Sequence, residues 1–217
     1  EGRVMSQKDR QVEDQARDAW NQRYAAAEGF LFGRAPNAFL AAEAHRFAPG
    51  QRVLCLADGE GRNGVFLAKR GLDVLSVDIS PVALAKARSY AAEQGAQLRF
   101  EEANLARWRW PAEKFDAVVA IFIQFAGPSL RERIFTRIVE AMVPGGLLLL
   151  QGYRPEQLAY GTGGPPDAAN MYTEVLLRES FADLDILSLK THDSTITEGK
   201  AHHGMSALID LVARKPK

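Results

Sequence analysis

Residues 52–80, RVLCLADGEGRNGVFLAKRGLDVLSVDIS, constrain the fold of this chain more than any other stretch. Residues 53–57 form a short apolar run rich in β-formers, the pattern of a buried parallel strand. Gly59-Glu60-Gly61 follows, and two residues without a Cβ let the backbone turn tightly and approach a ligand. Residues 64–70 have helical spacing, with Val65, Leu67 and Ala68 available to pack on a sheet, and Gly71 closes that helix. A second apolar run, residues 72–77, ends on Asp78. Strand, glycine loop, helix, strand and acid make one βαβ unit that holds a nucleotide-like ligand at the carboxyl ends of its strands.

The rest of the chain extends the unit in both directions. Residues 11–27 read as a helix carrying Val12, Ala16, Trp20 and Tyr24 on one face, behind a frayed first dozen residues. Residues 36–47 read as a second helix, and Pro49-Gly50 as the turn into the first strand. Ser80-Pro81 starts a helix that runs to about residue 94, with Ser80 as N-cap. Strands are expected over residues 98–101, 115–122 and 147–150, with a helix over 128–143 ended by Pro144-Gly145-Gly146. Residues 153–170, rich in glycine and proline, are too long for a simple connection and read as a lid or binding loop. A helix over 171–180 precedes two long strands, 184–197 and 205–213, joined through 198–204 as an antiparallel hairpin.

The expected architecture is therefore α/β: a Rossmann-like, doubly wound, mostly parallel sheet of seven strands, a C-terminal antiparallel β-hairpin, and helices on both faces. One domain covers residues 1–217, a helical cap over 1–48 and the core over 49–217. Lysine plus arginine equals aspartate plus glutamate, 27 each, which argues against a bulk nucleic-acid or anionic-membrane binder. One cysteine excludes an intrachain disulfide and fits a reducing compartment. No apolar run approaches the roughly 18 residues of a membrane span, and the polar start lacks the apolar centre of a secretory signal. A cytoplasmic protein is expected. Met5 is read as the natural start, with the four residues before it as an expression remnant.

The ligand of the glycine loop stays open on its own pattern. Gly59-Glu60-Gly61-Arg62-Asn63-Gly64 satisfies G-x-G-x-x-G, and Asp78 lies 19 residues past Gly59. That pattern permits a dinucleotide with its pyrophosphate at the helix N-terminus, hence an NAD(P)-dependent oxidoreductase, and it permits a plain strand-to-helix turn. No second substrate domain follows the five βα units, which weighs against the oxidoreductase. Cys55 reads as a small buried strand residue, His202-His203 as unsuited to a metal, and Arg107-Trp108-Arg109-Trp110 as a packed surface loop.

Val53 to Gly61 resembles the strand-and-loop motif of class I S-adenosylmethionine-dependent methyltransferases, and Asp78 matches the acid that holds the ribose of that cofactor. A narrower resemblance, to a bacterial subgroup related to tellurite-resistance and thiopurine methyltransferases, rests on four matches in order. They are Trp20-Asn21-Gln22-Arg23-Tyr24 with 32–40, the cofactor loop itself, residues 160–165, and residues 198–204. The resemblance implies S-adenosyl-L-methionine as cofactor, S-adenosyl-L-homocysteine as product and a small-molecule methyl acceptor. It assigns cofactor contacts to Tyr24, Phe32, Gly33, Asp58, Gly59, Glu60, Gly61, Asn63, Asp78, Ile79, Asn104, Leu105, Ile121 and Phe122. Gly59 and Gly61 are expected to give methionine and ribose their close approach. Tyr153, Arg154 and His202 are expected on the acceptor side, with His202 as the candidate catalytic residue. Two positions depart from the class: Cys55 stands where an acid is usual, and Ala57 where glycine is usual. Asp58 or Glu60 is expected to take over the cation-facing role, while loss of that acid leaves a non-catalytic cofactor-binding protein as a further reading.

Overall fold

A computed structural model describes residues 7–217, with side chains from Asp14 onward. The elements run α1 (Gln7–Ala26), α2 (Ala38–Glu43), β1 (Arg52–Leu56), α3 (Arg62–Ala68), β2 (Asp73–Asp78), α4 (Pro81–Glu93), β3 (Arg99–Glu102), β4 (Phe115–Ile121), α5 (Pro128–Ala141), β5 (Met142–Tyr153), α6 (Gln157–Tyr160), α7 (Glu174–Ser180), β6 (Asp185–Glu198) and β7 (His202–Arg214). All seven strands join one sheet in the order β3-β2-β1-β4-β5-β7-β6. The first five are parallel, and β7 enters antiparallel between β5 and β6. The sheet and its hairpin are as the sequence predicts.

Strand alternation splits the core between the two faces of the sheet. Val53 and Cys55 point to the face covered by Leu40 of α2 and Leu67 of α3. Leu54 and Leu56 point to the other face, with Ile134 and Phe135 of α5 and Leu177 of α7. Being covered on both sides is what makes β1, β2 and β4 read as unbroken Val/Leu/Ile runs. The first strand lies between β2 and β4, and the crossovers from these two strands diverge to opposite faces. A crevice opens at their carboxyl ends, the usual ligand position in such sheets.

Several expected boundaries move, each for a local reason. The expected frayed start lies partly outside the described residues, as does Met5, but the backbone is already helical from Gln7. The second helix begins only at Ala38, because the Asn37 side chain accepts from Leu40 N and caps it, and it tightens into a 3₁₀ turn over Ala44–Arg46. The helix expected from 171 likewise waits for Thr173, whose hydroxyl caps Leu176 N. The helix expected over 128–143 stops at Ala141, before Pro144-Gly145-Gly146, and β5 runs through that triplet from Met142, with a register slip opposite Phe115–Ala117. The expected lid over 153–170 is partly ordered by α6 and a 3₁₀ turn at Ala168–Asn170, and Tyr153 is the last residue of β5. The hairpin connection shrinks to 199–201, which puts His202 in β7 opposite Glu198.

The N-terminal segment is fastened across the carboxyl edge of the sheet. Lys86 of α4 donates to the carbonyls of Tyr24 (2.6 Å) and Gly29 (2.8 Å), supplying a cation to the end of α1. Ser80 donates to Asn21 at 2.6 Å. Among the described residues no helix is long and apolar enough to cross a membrane.

Candidate active site

The carboxyl ends of β1, β2 and β4 open on a cavity of about 250 Å³, roofed by α1 and the loop after it. Of the sequence-predicted cofactor residues, all but Gly61 line it, as does His202. Gly61 turns the other way: with φ +81 it caps α3, and a Cβ there would sit 2.9 Å from Ala87 Cβ. Its role is packing of the glycine loop on α4. Gly59 does line the cavity, but the room left by its missing side chain is taken by the Tyr24 hydroxyl, 2.6 Å from where a Cβ would stand.

Three acids surround the glycine loop, each held differently. Asp78 accepts from Gly59 N (2.8 Å) and Ser80 N (2.9 Å), and burial pushes its carboxyl up to about 6 against those hydrogen bonds. Asp58 accepts at one oxygen from both Gly64 N (3.0 Å) and the Ser76 hydroxyl (2.8 Å), and burial pushes it to about 7. Only glycine fits at 64, where a Cβ would lie 2.6 Å from that oxygen. Glu60 accepts from Leu31 N (2.8 Å) and Lys86 Nζ (3.1 Å), so it fastens the cap loop. Asn63 does the same by accepting from Asn37 N at 2.9 Å.

These placements decide between ligand classes. A dinucleotide would set its pyrophosphate on the N-terminal amides of α3. Here a buried carboxylate already accepts from one of those amides, with a second acid two residues on. Asp58 competes with a pyrophosphate for that amide and, once ionised, repels it, so the loop favours a ligand with a cationic end. This is the reverse of what the hexapeptide alone suggests.

A stability profile follows from the same acids. Asp58 and Asp78 hold their protons more tightly in the folded protein than in the unfolded chain. Their contribution is fully present below the ordinary carboxylate range and is lost as pH rises through about 6 and 7. The urea midpoint is expected to fall between pH 5 and pH 8, and to fall less in Asp58→Asn. Parallel profiles for the two proteins would show that Asp58 is not a source of the slope.

Two non-glycine residues at adjacent strand ends take left-handed backbone conformations, Ala57 (φ 46) and Phe122 (φ 54), and both line the cavity. Such conformations cost about 1 kcal/mol or more and concentrate at functional sites. The first explains the departure noted in the sequence: position 57 is built for glycine, and alanine is the smallest side chain that can stand in. Cys55 is fully buried, and burial pushes its thiol upward, as expected of a packing residue.

On the opposite wall, Ile79 and Leu105 offer apolar surface and Asn104 a side-chain amide. The Asn104 oxygen already accepts from Ala106 N at 3.0 Å and keeps a second lone pair for a ligand. From the cap, Trp20 and Tyr24 stack at 5.7 Å, with Phe32 edge-on to Tyr24 at 6.1 Å. Trp20, which shares a helical face with Tyr24 but is not among the predicted cofactor residues, faces the cavity as well. Sequence reasoning also missed Arg62 and Phe125, which line it too. The first was hidden as a variable position of the glycine motif, and the second stands three residues past Phe122 in a loop without periodicity.

The acceptor-side residues separate. His202 is sandwiched between Phe32 (4.7 Å) and Phe122 (4.4 Å), both rings inclined by 26°. Burial and the nearby Arg62 lower its pKa to about 3, so the ring is neutral. Tyr153 is buried behind it, off the cavity, with its hydroxyl 2.5 Å from His202 Nδ1. Arg154 is directed elsewhere: it donates to Leu208 O at 3.1 Å and pairs with Asp193 and Glu156. Nothing in this arrangement brings it to an acceptor.

Comparison with known proteins agrees with this geometry. Residues 53–146 match the family described as "Methyltransferase domain". A solved structure from work on the conversion of a disulfide bond into a thioacetal group during echinomycin biosynthesis superposes with a TM-score of 0.75 at 20% identity, covering 92% of this chain and 93% of that one. The fold is that of class I methyltransferases. TehB from Haemophilus influenzae shares this methyltransferase fold, with a TM-score of 0.68 at 19% identity over 92% of this chain and 66% of that one. By sequence, the demethylmenaquinone methyltransferase of Thermus thermophilus is 33% identical over 107 residues, 48% of each chain. An uncharacterised Mycobacterium bovis protein is 35% identical over 101 residues, 46% of this chain and 36% of its own. The chain thus spans less than half the length of these curated relatives, and the family match over residues 53–146 takes in the glycine loop, Asp78 and nearly all of the first four strands.

Proposed function

We propose that this chain binds S-adenosylmethionine in the cavity and transfers its methyl group to a small-molecule acceptor. The observation that carries the reading is the acidic glycine loop: Asp58, Glu60 and Asp78 converge on a site where Asp58 already engages the Gly64 amide at the start of α3. A sulfonium with an ammonium and a ribose diol satisfies that site, with Asp78 accepting from the diol. Ile79, Leu105 and Asn104 would then take the adenine, and Tyr24, Phe32 and Gly33 would close over the methionine end. The cofactor arrives activated, so the protein's task is to align the acceptor, the methyl carbon and the sulfur and to exclude water. The aromatic roof supplies the exclusion.

The acceptor side fits a soft nucleophile such as a thiol or metalloid. The only titratable ring at that end, among the described residues lining the cavity, is the neutral His202. Sulfur chemistry in the echinomycin-related structure and the shared fold with TehB are in keeping with this class.

Calorimetric titration tests the reading. S-adenosylhomocysteine is expected to bind and NADH is not; the opposite result would sink it. Asp78→Ala is expected to weaken S-adenosylhomocysteine by about 1–3 kcal/mol, the scale of hydrogen bonds lost at a buried polar site. An unchanged affinity removes Asp78 from the cofactor.

A further inference from the structure

His202 has one ring nitrogen engaged and one left over. Its two faces are covered by Phe32 and Phe122, and its Nδ1 edge lies against the Tyr153 hydroxyl. The ring nevertheless lines the cavity. The edge that remains for the cavity is the one carrying Nε2, which has no hydrogen-bond partner among the described residues. The side chain is fixed on every other side, at 9% exposure.

The Tyr153 hydroxyl decides what that edge presents. Burial, with Glu198 nearby, pushes the phenol well above its ordinary range, so it keeps its proton. Among the described residues the hydroxyl has one hydrogen-bond partner, His202 Nδ1. Were Nδ1 the donor, the buried phenol O–H would be left without an acceptor, so the favoured arrangement has the phenol donating and Nδ1 accepting. A neutral imidazole with Nδ1 unprotonated carries its hydrogen on Nε2. The charged groups around the ring reinforce neutrality: Arg62 from α3 and Arg23 from α1 both oppose a second proton, and Tyr153 from β5 is uncharged.

Resting on the methyl-transfer reading above, we infer that Tyr153 is a positioning residue that holds His202 as an Nε2–H donor, and that the acceptor it serves reacts as a thiolate. A donor cannot take a proton from the nucleophile, so a sulfur acceptor of the class proposed above must arrive without one, as the thiolate. The thiolate's electron pair forms the new S–CH₃ bond, the methyl–sulfonium bond breaks, and its pair returns to the cofactor sulfur. One negative and one positive charge are consumed together, with no proton transferred. The Nε2–H orients the anion in a cavity from which water is excluded, where such a hydrogen bond is strong.

Nitrogen-15 NMR of histidine-labelled protein, free and loaded with S-adenosylhomocysteine, reads the tautomer without any turnover. The His202 signals are those lost in His202→Gln. A neutral Nε2–H ring is expected from pH 5 to pH 8, with a mixture of tautomers in Tyr153→Phe. An Nδ1–H ring in the native protein, or protonation with a midpoint inside that range, overturns the donor assignment. Thiophenol then probes the acceptor class. His202→Gln keeps an N–H and is expected to methylate thiophenol within about tenfold of the native rate, whereas His202→Ala loses about 100-fold. Equal losses of about 10²–10⁴ in both variants indicate a general base and overturn the proposal. Bound S-adenosylhomocysteine and the expected tautomer without thiophenol methylation overturn the thiolate class. Failure to bind S-adenosylhomocysteine overturns the methyl-transfer reading instead, and the tautomer is still decided in the free protein.

Discussion

Glu198→Ala is expected to lower the unfolding free energy by about 3–5 kcal/mol, the cost of leaving one member of a buried ion pair without its partner. Glu198 stands at the tip of the β6–β7 hairpin, and its carboxylate meets Arg62 Nη2 at 2.6 Å, with side chains 10% and 7% exposed. The same carboxylate accepts from Asn37 Nδ2 at 3.0 Å and from Ala38 N at 3.2 Å. Its removal strands the guanidinium of the glycine loop and two donors of the cap at once. Urea denaturation gives the stability change, and titration with S-adenosylhomocysteine gives the effect on the roof. Glu198→Gln, which keeps the shape and part of the hydrogen bonding, is expected to fall between the two. A loss below about 1 kcal/mol in the alanine variant would place the pair with ordinary surface ion pairs.

The second large effect is expected at the next residue. Gly199 has φ +72, and a Cβ there would stand 2.4 Å from Phe32 C and Gly33 N, both backbone atoms with no flexible end to swing aside. Gly199→Val combines left-handed strain with a clash that the cap loop relieves only by lifting. The cost is about 2–5 kcal/mol, with loss of S-adenosylhomocysteine binding of more than about tenfold for each 1.4 kcal/mol taken from the closed form. Gly161→Ala is the control. Its φ is 62 with nothing near the missing Cβ, so it carries strain without a clash and is expected to cost about 1 kcal/mol and to leave binding unchanged. Equal effects at the two positions would mean that backbone strain alone, not contact between hairpin and cap, is what matters at 199.

The difference between what could and could not be read from the residues lies in range. The βαβ unit was legible because its evidence is local: apolar runs with β-branched residues, glycines at turns, and an acid at a strand end. Asp78 and Gly59 were placed at the carboxyl ends of the strands for that reason, whereas Asn63 came from the resemblance. The resemblance placed Tyr24, Phe32 and His202 at the cavity. What it did not convey is how the glycine loop's other residues are engaged. Glu60 with Leu31 and Arg62 with Glu198 are pairings across 29 and 136 residues, and polar contacts over such distances leave no periodicity. His202 was not legible as a strand residue, because β7 begins in polar sequence and owes its first residues to pairing with β6. Arg154 was misplaced by proximity alone: it follows a strand end, yet Asp193 and the Leu208 carbonyl draw it to the outer edge.

The clasp between hairpin and cap also orders the making of the protein. Asn37 and Glu198 meet across 161 residues, and the strand that carries Glu198 is hydrogen-bonded in the sheet to β7 alone, the last strand of the described chain. During synthesis the first helices meet β1, the glycine loop and α4 early, through Leu40, Glu60, Asn63 and Lys86. The hairpin's grip on the cap, from Glu198 to Asn37 and Arg62, forms only after β6 and β7 have paired, a late closure over a long stretch of chain. The wall of the cavity that carries His202 is therefore completed last, and a chain halted before residue 198 would keep the part of the roof held by α4 without the clasp.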